Sequence, residues 1–272
     1  MPDDLSFVSK LGNADEYLPP KDKIMPGSHL DIILKESLRP LGNYAKKPNL
    51  IPSDFFILAT STPEILPPSG QSLLKKASAI WVRGEFVALR SLNNNRTKII
   101  KNIAAASPEI IYYRMMDYHP DEFSFLQNNH KIRGSARLLH YRNLLDLEID
   151  TIRLFKKLGK KIRVVLPYIT SPEEQVEIQQ IIAKEKPDQL GVMVEREEHA
   201  ENIMNYPSSD FLFPGPSDLV ADMKKIDRGE YLEGTSDAKV IALAKKLAVK
   251  ANKMKIPEFL ALKILVNNIK AG

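Results

Sequence analysis

No cysteine occurs among the 272 residues. Its absence excludes a disulfide scaffold, a thiolate zinc site, an Fe–S cluster and a cysteine nucleophile. No GxGxxG and no Walker A sequence is present, so neither a dinucleotide-binding fold nor a P-loop has support. No apolar run approaches the roughly 20 residues that span a bilayer. The first residues, MPDDLSFVSK, are acidic and hold no apolar core, unlike a secretory signal. The expected location is therefore the cytoplasm, without a membrane. An arginine-rich tail and a basic groove interleaved with aromatics are also missing. Lys+Arg 39 against Asp+Glu 34 leaves +5, and this surplus is scattered as lysine pairs at 46–47, 75–76, 156–157, 224–225 and 245–246. Such pairs read as solvated helix faces, so nucleic acid is not the expected partner.

What is present is a rhythm. Between Lys161 and Val220 three apolar runs, Ile162 to Ile169, Leu190 to Val194 and Asp210 to Phe213, alternate with segments of helical composition. Runs this apolar suggest parallel strands covered on both faces. The pattern extends upstream. Strands are expected at Phe55 to Thr60, at Ile80 to Val82 with a resumption at Phe86 to Leu89, at Ile110 to Tyr113, and in a short piece around Ser135 to Leu139. Helices are expected near Gln71 to Ala77, at Asn94 to Ala106, at Asn143 to Leu158 ahead of Gly159, after the Ser171-Pro172-Glu173-Glu174 start, and at Asp237 to Lys253. The C-terminal IPEFLALKILVNNIKAG reads as a last strand with a short helix, or as a helix alone. Residues 1–53 are rich in proline, with one helix at His29 to Leu38, and read as an irregular N-terminal arm ahead of a domain at 54–272. Charged strand ends are spread along the whole chain, which fits a single (β/α)8 TIM barrel better than a doubly wound sheet.

The loops after such strands deliver Glu195 and Asp218. A carboxylate at Glu195 is a metal ligand, a general base, or a cap for the helix it precedes. Asp218, after Pro214-Gly215-Pro216, is a ligand or the N-cap of the next helix. As a pair with no thiol nearby they suit Mg2+ or Mn2+. Arg90, Arg114, Arg133, Arg137 and Arg228 are candidates to cradle a phosphate or carboxylate. Arg90 is placed beyond a strand end, and Arg114 heads a polar crowd with Asp117, His119, Asp121 and Glu122. His119 and His130 lack metal-type spacing, and His199, four residues after Glu195, reads as a surface or supporting residue.

Several segments together resemble the C-terminal phosphoenolpyruvate/pyruvate-binding TIM-barrel domain of the phosphoenolpyruvate-utilising enzymes: PEP synthase, pyruvate phosphate dikinase and enzyme I of the sugar phosphotransferase system. VALRS at 87–91 is similar to the family's GLLRTE, YYRMMDYHPDEF at 112–123 to VRTxD…(N/D)E, and RGSAR at 133–137 to RGxxR. LPYITSPEE at 166–174 is similar to xPxxxxxEE, LGVMVE at 190–195 to IGxMxE, and FLFPGPSDLVADMKKIDRGE at 211–230 to FFSIGTNDLTQxxxxxDRxx. The segments keep the family's order over about 85–230. The resemblance implies Glu195 and Asp218 as Mg2+ ligands and Arg90, Arg114 and Arg228 around the phosphate and carboxylate of phosphoenolpyruvate. Arg137 is implied close by, and Ser217 where the family has a substrate-touching asparagine. It also implies a homodimer.

The departures shape the expected activity. No segment before residue 54 is long enough for the family's phosphohistidine domain, and the family's proton-donating cysteine has no counterpart. Its ETP is replaced by Glu195-Arg196-Glu197 and its GTND by PGPSD. The expectation is a Mg2+-dependent transferase or C–C lyase that binds phosphoenolpyruvate, pyruvate or a related 2-oxoacid and stabilises its enolate. Alternatives are the barrel component of a split phosphotransferase whose partner carries the phosphohistidine domain, and a non-catalytic sensor or assembly subunit. His119, Tyr112, Tyr113 and His130 are the candidate proton donors.

Overall fold

The computed structural model describes residues 57–66, 68–91, 95–117 and 132–225. The N-terminal arm, the helices expected at His29 to Leu38 and Asp237 to Lys253, the C-terminal segment, and Arg228, His119, His130, Asp121 and Glu122 lie outside the described residues. Six strands, β1 (Ile57–Ala59), β2 (Ala79–Arg83), β3 (Ile110–Arg114), β4 (Lys161–Leu166), β5 (Gln189–Val194) and β6 (Phe211–Pro214), form one sheet in the order β1-β2-β3-β4-β5-β6. Every pairing is parallel. Among the described residues eight α-helices lie between and after the strands: α1 (Pro68–Lys76), α2 (Gly84–Ser91), α3 (Arg96–Ala106), α4 (Gly134–His140), α5 (Arg142–Lys157), α6 (Pro172–Ala183), α7 (Glu197–Glu201) and α8 (Pro216–Lys224). Among the described residues no helix is long and apolar enough to cross a membrane.

The sheet curls into a half-barrel. Trp81 on β2 and Phe213 on β6 stand four strands apart, about 19 Å along a flat sheet, yet their ring centroids are 4.3 Å apart. Tyr112 on β3 likewise meets Phe211 on β6 edge-on at 5.5 Å. These aromatic rings fill the concave face, and helices cover the convex one. Side chains alternate between the faces along a strand. In β3, Tyr112 therefore points inward and Tyr113 outward, where it packs on Phe155 of α5 with centroids 5.9 Å apart. The same phase turns the last residues inward at the C-terminal mouth: Arg83 two beyond Trp81, Arg114 two beyond Tyr112, and Glu195 two beyond Met193.

Local sequence accounts for most boundaries. Ser171 caps α6 by accepting the Glu174 amide at 3.2 Å, with Pro172 in the first turn. Gly159, after α5, takes φ +78°, the left-handed conformation that ends many helices. Three expectations are corrected. Phe86 to Leu89 does not resume a strand, because α2 starts directly after β2. Ser135 to Leu139 lies in α4: the buried positions Gly134, Ser135, Arg137 and Leu138 follow a helical rather than an alternating pattern. The apolar run from Ile162 leaves the sheet at Leu166, so Pro167 to Ile169 belongs to the mouth.

One charged residue stands in the buried stripe of α5. Glu148 lies among Leu144, Leu145, Ile149, Ile152 and Phe155 and is fully buried. Its Oε1 accepts the Tyr113 hydroxyl at 2.8 Å and approaches Arg96 Nη2 at 3.5 Å, while Oε2 accepts the Met116 amide at 2.8 Å. It thus ties α5 to the end of β3 behind Arg114. Burial pushes its carboxyl up to about 7, against the pull of Arg96. The folded form holds its proton after the unfolded chain, near 4.5, has lost one, so this group's contribution is full below pH 4.5 and is lost as pH rises through 7. Glu148→Gln cannot titrate. In urea denaturation the variant is expected to gain roughly 3 kcal/mol on the wild type between pH 4.5 and pH 8.

Candidate active site

The mouth collects charge from the connections that follow four strands. Arg83 ends β2, and Glu85 follows in the first turn of α2. Glu85 is buried, and its Oε1 accepts hydrogen bonds from both Arg83 Nε and Arg114 Nη2. Arg114, which ends β3, is itself buried, and its Nη1 lies 4.0 Å from the Met193 sulfur. Asp117, three residues on, accepts Arg133 Nη2 at 2.6 Å and the Gly134 amide at 3.0 Å. Arg133 turns its Nη1 to Asp218 Oδ1 at 2.9 Å, so one guanidinium bridges two carboxylates from different loops. Beneath it lies the ring of Tyr168, with the guanidinium carbon 4.0 Å from the ring centroid.

Glu195, beyond the end of β5, is 1% exposed. Its Oε2 accepts the Tyr168 amide at 2.8 Å. Gly215 faces it so closely that a Cβ there would stand 2.4 Å from Glu195 Cγ and 2.8 Å from Oε1. Burial pushes the Glu195 carboxyl up to about 8, helped by the charges of Asp218 and Asp117, and Arg114 and Arg133 offset this only in part. Both guanidiniums stay protonated, because the surrounding carboxylates outweigh their burial. Glu195 thus keeps its proton at neutral pH, in a crowded, dry place where a second charge beside Asp218 is disfavoured.

The predicted residues fare unequally. Glu195, Asp218 and Arg114 do converge. Asp218 is not an N-cap: Gly215 holds that position and Asp218 lies in the first turn of α8, where a carboxylate is favoured by the helix dipole. Ser217 immediately precedes it in α8. Arg90 does not stand beyond a strand end. It occupies the last turn of α2 and donates to the Ser61 carbonyl at 2.9 Å and to Glu64, because the helix replaces the expected strand; the arginine at the end of β2 is Arg83. Arg137 is buried in α4, and the arginine that bonds Asp117 and Asp218 is Arg133, one turn earlier. Tyr113 faces α5 and is bound to Glu148, whereas Tyr112 bonds Arg163 between β3 and β4, so neither phenol belongs to the cluster at the mouth. His199 is no surface residue. It is buried and stacks on Tyr206 at 4.0 Å, and burial pushes it down to about 3, keeping it neutral.

Arg83, Glu85, Tyr168 and Glu148 are participants that the sequence reading did not single out. For Arg83 the signal was available, since it stands two residues after the tryptophan in a strand.

Fold and cluster together define a parallel α/β protein whose charged site lies where the C-terminal strand ends converge, the usual place for chemistry in such sheets. No protein-family model and no curated protein matches the chain.

Proposed function

We propose that the chain is a Mg2+-dependent enzyme, a transferase or C–C lyase, acting on phosphoenolpyruvate, pyruvate or a related 2-oxoacid. The observation that carries this reading is the burial of Glu195 beside Asp218, with Arg114 and Arg133 among them. The donor set fits the ion. Two carboxylates are hard oxygen ligands, and burial and acidic neighbours keep Glu195 from ionising until a cation arrives to take the place of its proton. Among the described residues no three His, Asp or Glu side chains form a metal-binding group, so a cation on Glu195 and Asp218 would take further oxygens from ligand and water. Bound there, Mg2+ would supply Lewis-acid polarisation of an oxo group and its carboxylate.

The chain's own residues supply the rest. Arg114 and Arg133 present fixed positive charge in a water-poor mouth, where it stabilises a developing enolate more than in solution. Glu85, Asp117 and Asp218 hold those guanidiniums in place before any ligand binds. The family motif GLLRTE, laid on residues 80–85 instead of 87–91, places its arginine on Arg83 at the end of β2 and its glutamate on Glu85 in the first turn of α2. On this reading the half-barrel belongs to a complete (β/α)8 barrel, and Arg228 joins the arginines.

Calorimetry on the full chain tests the proposal, with oxalate as a mimic of the pyruvate enolate. Oxalate is expected to bind only with Mg2+ present, and Arg114→Met to weaken it at least about 10-fold. Failure of the wild type to bind Mg2+, and to bind oxalate, pyruvate or phosphoenolpyruvate in its presence, would sink the reading.

A further inference from the structure

We infer that Tyr168 is a positioning residue that sets the directions of both Glu195 and Arg133; this deepens the proposed function and rests on it for its catalytic meaning. β4 ends at Leu166, and two residues later the backbone of Tyr168 adopts φ +43°. That left-handed conformation strains any side chain, and glycine would relieve it. Gly134, packed against Tyr168, has φ +53° and is a glycine. A tyrosine standing where glycine is easier has a side chain in use.

Two contacts define the use. The amide, aimed inward by the left-handed turn, donates to Glu195 Oε2 at 2.8 Å. The ring lies under the Arg133 guanidinium at 4.0 Å, and from that platform Arg133 reaches Asp117 and Asp218. An extended or right-handed Tyr168 would redirect the amide and the ring together. The surroundings hold the strained form. A Cβ on Gly134 would fall 2.5 Å from Tyr168 Cβ and 2.6 Å from the Pro167 carbonyl oxygen. That carbonyl also accepts the Ser135 amide at 3.0 Å and the Ser135 hydroxyl at 2.9 Å. The start of α4 and the loop after β4 are therefore joined by two hydrogen bonds and a close backbone contact. Among the described residues the Tyr168 hydroxyl makes no hydrogen bond, so the ring and the amide carry the role.

The full chain is titrated with Mn2+ alone and then with oxalate in the presence of Mn2+. Tyr168→Gly keeps the amide and loses the platform. It is expected to leave Mn2+ affinity near wild type while weakening oxalate about 10-fold or more. Tyr168→Phe keeps both features and is expected to restore oxalate binding. A glycine variant that binds oxalate like the wild type overturns the inference. If the wild type binds neither probe, the proposed function falls, and a ligand-free measurement still decides this point. Urea unfolding constants are compared for Tyr168→Gly, Arg133→Lys and the double variant. Non-additivity of about threefold or more supports the platform, and additive effects overturn it.

Discussion

Glu195→Gln is expected to weaken Mg2+ binding by about 100-fold or more and, in the same protein, to raise the stability of the metal-free fold at alkaline pH. The two effects share one cause. Glu195 is buried beside Asp218 and Asp117, and its carboxyl is pushed up to about 8 from an ordinary 4.5. Below pH 4.5 folded and unfolded chains are both protonated there and the neutral group carries no penalty. Between 4.5 and 8 the unfolded chain gives up its proton while the folded chain keeps it, so stability falls as pH rises, and above 8 the full cost persists. That cost is on the order of several kcal/mol. Glutamine preserves an acceptor for the Tyr168 amide and never ionises. Thermal melts without metal should therefore separate variant from wild type little at pH 4.5 and by roughly 5–10 °C at pH 8.5. Saturating Mg2+ should close the gap for the wild type only. A variant that melts below the wild type at pH 8.5 would contradict the account of Glu195 as an uncompensated anion.

How much of this was legible in the sequence depends on what each feature rests on. The parallel sheet was legible because Leu190 to Val194 and its neighbours are apolar without alternation, and that property survives in a linear string. Glu195 and Asp218 were legible because the runs before them end abruptly. Arg83 was passed over in favour of Arg90 because Val87-Ala88-Leu89 looked like a strand resuming, and the helical register of α2 becomes plain only when Glu85 is seen paired with both arginines. Arg133 and Arg137 differ by one helical turn, so choosing between them required knowing that α4 begins at Gly134. Tyr168 was hidden inside an apolar run, since no residue pattern announces a left-handed tyrosine. Glu148 was readable as an anomaly: a carboxylate in the apolar stripe of α5 needs partners, and Tyr113, Arg96 and the Met116 amide supply them.

Arg133→Met is expected to be the most damaging single change at the mouth, and one that Mg2+ partly repairs. Methionine fills much of the same volume and keeps contact with the Tyr168 ring, so the loss isolates charge from packing. With Arg133 gone, Asp117 loses two donors and Asp218 loses one, while Glu195 remains close to both. Breaking a buried pair by removing one partner costs about 3–5 kcal/mol, because the remaining charge stays desolvated. For a chain of this size that corresponds to a fall in Tm of about 10 °C or more. Arg142→Met supplies the contrast. Its bridge to Glu177 joins side chains 57% and 55% exposed, where water already screens the charges, and its Tm should move by no more than about 1–2 °C. A divalent cation at the mouth would neutralise the same acids that Arg133 neutralises. At 100 times its Kd it would return about 2.7 kcal/mol to the Arg133→Met variant. The melting temperature of that variant should therefore rise with Mg2+ at least as steeply as that of the wild type. A deficit that Mg2+ leaves untouched would mean that the acids around Arg133 do not share one cation site.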